Sequence, residues 1–162
     1  MGAIPGNIET DQQPPMTVPL RHFVVGLGFL VAGVGVGIGT RLGVVPGLAR
    51  LAHVHLLFAG WICLTILGAM TQFVPVWSGV TLHSRRLANV QLGLVAAGVA
   101  GIVGSFLLGE LVWLVPFAGL ALVGFWIFAY NIVRTLGAVE RYDVTERHFL
   151  GALGFVLVLT VL

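Results

Sequence analysis

Charged positions divide this chain into long apolar runs. His22–Thr40 lies between Arg21 and Arg41, and Leu51–Ser84, Leu87–Gly109 and Leu111–Val133 follow, each free of formal charge. A helix needs roughly 20 apolar residues to cross the hydrocarbon core. The four runs are therefore read as transmembrane helices over about 22–42, 52–76, 87–109 and 111–133. A fifth run, His148–Leu162, holds about 15 residues, which at ~1.5 Å each reach roughly 22 Å, short of the ~30 Å core. It is read as a short or truncated span over 147–162, so the chain is expected to be the front part of a longer protein, the alternative being an unusual last helix. The expected fold is all-α: a polytopic transmembrane helical bundle of four full spans and a partial fifth. A flexible polar tail over 1–20 precedes the transmembrane domain, 21–162.

The arginines give the bundle a direction. One side collects Arg21, Arg85, Arg86, Arg134, Arg141 and Arg147, the other Arg41 and Arg50. An excess of basic residues marks the cytoplasmic side, so the N-terminus is expected in the cytoplasm and the protein in the cell membrane. Composition points the same way, with 58% hydrophobic and 9% charged residues, where a soluble domain carries about 25% charged. The arginines occur singly or in pairs between apolar runs, so the expected partner is the lipid bilayer and not nucleic acid. The single cysteine, Cys63, sits within an apolar run and has no internal disulfide mate.

Smaller signals refine the helices. Gly33 with Gly37, and Gly35 with Gly39, are small-xxx-small pairs suited to close helix contact. The same glycine run lacks the strand and loop context of a nucleotide-binding turn. Asp143 followed by Glu146 has the spacing of a capping box at the start of the fifth helix, with His148 a residue of its first turns. Asn131 and Tyr130 stand where a hydrogen bond to a neighbouring helix is the ordinary use, and Glu110 stands in a short turn.

The chemistry concentrates at the head of the second helix, in "RLAHVHLLFAGW". His53 and His55 are two apart, which on a regular helix separates them by about 200°. One metal bound by both is therefore disfavoured. Gly60, Leu64 and Thr71 share the side of His53, whereas Ile62, Ile66 and Phe73 share that of His55. A planar macrocycle needs clearance beside an axial imidazole, and Gly60 is where that clearance is expected. Arg50, one turn before His53, is placed to pair with an acidic group of such a ligand.

The order His53-x-His55, Gly60, Gly68 and then Val74-Pro75-Val76-Trp77-Ser78-Gly79 resembles the second helix of the NnrS family, polytopic haem- and copper-containing membrane proteins linked to nitric oxide metabolism. Gly68-Ala69 and Val74-Pro75 are also similar to the second helix of the catalytic subunits of haem-copper oxidases and nitric oxide reductases. The resemblance covers about 30 residues and departs from the NnrS pattern at Leu56, where it leads to a glutamate. It implies a haem-binding membrane protein in electron transfer or nitric oxide and oxygen handling, a component of an oxidoreductase. His53 would be the axial ligand and His55 a second ligand, a copper contact or a propionate partner, with Arg50 and Gly60 lining the site. The other ligands would come from a further subunit or a homodimer mate. The alternative from the same residues is a non-catalytic polytopic protein: an assembly factor, a carrier or a relative without haem.

Overall fold

The computed structural model describes residues 14–45 and 47–159. Among these it is all-helical. Helix α1 is Thr17–Arg41, α2 Ala49–Trp77, α3 Arg85–Leu108, α4 Leu111–Leu136 and α5 Val144–Leu159. The first four are long and apolar enough to cross a membrane. The fifth has 16 residues, or roughly 24 Å at ~1.5 Å each, and the side chain of its last residue falls outside the described residues. The tail expected over 1–20 needs a correction at its end. α1 already begins at Thr17, with Pro19 in its first turn, where a missing N–H costs no intrahelical bond. Residues 1–13 of that tail lie outside the described residues.

The turns between the helices follow local chemistry. The α1–α2 connection is tied to the end of α3 by the Leu48 N–H, which donates to the Phe106 carbonyl over 3.0 Å. Gly47 makes this approach feasible. It has φ +72°, and a Cβ there would stand 2.8 Å from the carbonyl oxygens of both Phe106 and Leu107. Ser84 caps α3 by accepting from the Leu87 N–H at 3.2 Å. At α5 the capping box forms as read. The Asp143 carboxylate accepts from the Thr145 and Glu146 N–H groups, and Glu146 Oε2 accepts from the Asp143 N–H at 3.0 Å. Glu146 also accepts from the Ser78 hydroxyl at 2.8 Å, which joins the start of α5 to the end of α2.

Close backbone approach packs the bundle. α3 and α4 meet at Gly98, where a Cβ would lie 2.6 Å from the Ala121 nitrogen, and at Gly124, where it would lie 2.6 Å from Val95. Of the two glycine pairs in α1, Gly33 and Gly37 face α2 and touch Leu57 and His53. The other pair does not act as a helix contact: Gly35 has nothing within 4 Å, and Gly39 closes on Val45 of the following turn. The buried core runs through Leu64, Val74, Val95, Val99, Ile132 and Leu136. Large apolar side chains also point outward, among them Val24, Val31, Phe58, Phe73, Val115 and Phe155. Helices that are apolar on both their core and outer faces are what a lipid surround demands.

α2 is not uniform. After an α-helical start, Ala49–His55, the segment Leu56–Cys63 runs as a π-helix before α-helix resumes at Leu64–Trp77. Such wide turns are rare and recur at functional positions.

Candidate functional site

His53 lies in the second turn of α2, on the side pressed against α1. Its Nδ1 is 2.7 Å from the Gly33 carbonyl oxygen. A carbonyl only accepts, so Nδ1 carries the proton, and the neutral ring keeps its lone pair on Nε2. The contact depends on glycine at two positions of α1. A Cβ at Gly37 would stand 2.8 Å from Cε1 and 2.9 Å from Nδ1 of the ring. No other hydrogen bond to His53 exists among the described residues.

The ring borders a cavity of about 580 Å³ lined by Gly37, Thr40, Arg41, Arg50 and His53. That volume lies within the ~300–1,000 Å³ typical of ligand and cofactor sites. A second hollow continues from Gly37, Arg41 and His53 along the apolar side chains Val34, Ile38 and Leu42. Arg41 and Arg50 are exposed, and neither has an ion-pair partner among the described residues. The Thr40 hydroxyl is occupied, donating to the Val36 carbonyl at 2.7 Å. The arrangement therefore offers one imidazole nitrogen, two guanidinium groups able to take an acidic group, and an apolar wall beside them.

The other expected site residues are distributed differently. Arg50 joins His53 at the cavity. His55 does not. Its Nδ1 donates to the Leu51 carbonyl at 2.9 Å, and its ring packs on Phe106 of α3 with centroids 5.1 Å apart. The separation read from the two-residue spacing thus has a concrete form, one histidine toward α1 and the other toward α3. Gly60 is also elsewhere. A Cβ there would be 2.6 Å from Phe29, so the clearance expected for a flat ligand is filled by a ring from α1. Among the described residues no group of three or more His, Cys, Asp or Glu side chains converges as a metal site.

Two features of the site went unread in the sequence. Arg41 stood only as a membrane-side anchor, although its closeness to Arg50 across one short turn is a usable signal. Gly37 appeared only as half of a helix contact, and its role as the floor under an imidazole becomes visible only when α1 and α2 are brought together. Set against family models, curated proteins and solved structures, the chain matches none of them.

Proposed function

We propose that this is a haem-binding integral membrane protein of the NnrS and haem-copper oxidase kind, acting in electron transfer or in nitric oxide and oxygen handling, with His53 as an axial ligand through Nε2. The observation that carries the reading is the His53 Nδ1 bond to the Gly33 carbonyl. Metal-binding histidines characteristically donate their second ring N–H to a carbonyl or carboxylate, which fixes the tautomer and raises the basicity of the ligating nitrogen. The donor set suits the group: imidazole for iron, Arg41 and Arg50 for its carboxylates, and Val34, Ile38 and Leu42 for its apolar edge. When bound, haem iron supplies one-electron exchange and gas binding. The protein's part is to hold the ring nitrogen and to set guanidinium groups and an apolar wall around it. His55, packed on Phe106, supports α2 from the other side, and no role for copper is assigned to it. The second axial donor would come from a further subunit or a second copy of the chain. By the arginine distribution the cavity lies toward the outer face of the cell membrane, with the N-terminus in the cytoplasm.

The test is a reduced-minus-oxidised spectrum of the protein purified from haem-replete membranes. Haem bands are expected in the parent and in His55→Ala, and are lost in His53→Ala. A parent without haem would overturn the proposal. That outcome would favour the non-catalytic reading, for which the specific support is Phe29 filling the space beside Gly60.

A further inference from the structure

Polar side chains are buried at a second place, on the surfaces where α1, α2 and α3 meet. His22 and Gln91 are both 0% exposed. Oxygen opposes each nitrogen of the His22 ring: Nδ1 lies 2.8 Å from the Val18 carbonyl, and Nε2 lies 3.4 Å from Gln91 Oε1. Gln91 Nε2 is buried without a partner, and so are Nε2 and Oε1 of Gln72. Helix phase sets Gln72 on the side of α2 that faces His22. Gly68 packs so closely on α1 that a Cβ there would lie 2.5 Å from the His22 Cβ, and Gln72 follows Gly68 by one turn on that side of the helix.

Turning the Gln91 amide over does not satisfy the group. The Nδ1 proton goes to the Val18 carbonyl, so in the neutral ring Nε2 only accepts; in one orientation, with Oε1 against it, two acceptors meet and the amide NH₂ is left over. In the other, the NH₂ donates to the ring nitrogen and Oε1 is left over. Hydrocarbon offers nothing to either, and buried polar groups in folded proteins are paired with protein or with ordered water. Arg21, the residue before His22, is turned to the Asn89 amide oxygen at 3.3 Å. The groups that remain are amides and an imidazole, which provide donors and acceptors without a permanent charge. That chemistry suits a small neutral molecule needing two to four hydrogen-bond partners.

We propose that His22, Gln91 and Gln72 form a water-binding site buried within the transmembrane bundle, close to its arginine-rich end and separate from the His53 cavity. Bound water completes the hydrogen bonding of both amides and couples α1, α2 and α3 at this level.

Water-edited solid-state NMR on the full chain in lipid bilayers tests this. Polarisation from water is expected to reach the side-chain amide of Gln91 several-fold faster than the methyls of Val95 and Ile132, which are equally buried at 0% exposure, and to reach the amide of half-buried Gln72 as well. Amides polarised no faster than those methyls would overturn the proposal, whatever any variant does. In Gln91→Leu, the water-derived signal at the His22 ring is expected to fall several-fold. An unchanged His22 signal in a folded Gln91→Leu protein would exclude Gln91 from the site.

Discussion

Replacing Asn131 tests how the α2–α3 connection is held. Asn131 is 1% exposed, and its side chain makes two hydrogen bonds to one residue of that connection. Oδ1 accepts from the Ser84 N–H, and Nδ2 donates to the Ser84 carbonyl, each at 3.0 Å. One turn further, the Thr135 hydroxyl accepts from the His83 N–H at 3.0 Å and donates to the Asn131 carbonyl at 2.8 Å. Asn131→Ala removes both bonds to Ser84, at about 1 kcal/mol each, and leaves a backbone donor and acceptor half-buried and unpaired. Ser84 is also the cap of α3, and a misplaced cap costs about 1 kcal/mol more. The sum is about 2–4 kcal/mol, a shift of roughly 30- to 700-fold in the unfolding equilibrium at 1.4 kcal/mol per tenfold. The assay is equilibrium unfolding in mixed micelles with rising SDS fraction, followed by tryptophan fluorescence. Asn131→Asp keeps the acceptor for the Ser84 N–H but sets an oxygen against the Ser84 carbonyl, so it should be at least as unstable as the alanine variant. An alanine variant within about 0.5 kcal/mol of the parent would refute the reasoning, because a side chain making both bonds cannot be that dispensable.

Gly37→Val should drive the His53 ring from its place, since a Cβ alone would come within 2.8 Å of it. Overpacking of this kind costs about 1–3 kcal/mol. If the proposed haem site holds, the visible outcome is loss of haem absorbance with helical circular dichroism retained, while Gly35→Val, at a position with nothing within 4 Å, should change neither. At α5, contact with the Glu146 side chain, followed by the Thr145 N–H, holds the Asp143 carboxyl below its ordinary value. A carboxyl with a lowered folded pKa stabilises above its unfolded value, about 3.9, and loses that contribution as pH falls through the lower folded value. The NMR shift of the Thr145 amide should report that loss, and Asp143→Asn, which preserves a cap, should abolish the pH dependence. A Thr145 amide that moves only at pH well above 4 would contradict the assignment.

The helices were legible because charge punctuates them. Arg21, Arg41, Arg50, Arg85 and Glu110 stand at or near helix ends, where a charged side chain reaches water. The capping of α5 was legible for a different reason: Asp143 and Glu146 are close in sequence, and their bonds are local. Contacts between distant segments were hidden. Nothing in "LLFAGWIC" announces a π-helix, and nothing about Gly60 says that Phe29 will fill the space beside it. The Gln91 amide reads as one polar residue in an apolar helix until α1 brings His22 against it. The pairing of Asn131 with Ser84 joins positions 47 residues apart, and only its general nature was readable, a hydrogen bond from the C-terminal part of α4 to a neighbour.

The π-helical turns of α2 have a consequence for phase. Positions His53, Leu57, Gly60, Thr65 and Gly68 all touch α1. From His53 to Gly68 the chain advances 15 residues, whereas four turns of a straight α-helix take about 14.4. The wide turns at Leu56–Cys63 absorb that difference and keep the contact strip facing one way. The segment thus sets the dihedral relation between the two ends of α2, much as a vernier sets one scale against another. Removing a single residue from it would leave 14, close to the 14.4 of four plain α-turns, whereas adding one would rotate the His53 end against the Gly68 end by about 100°. The imidazole would leave the Gly33 carbonyl while Gly68 kept its seat on His22. The length of these eight residues, more than their identity, is therefore what the site at the head of the helix depends on.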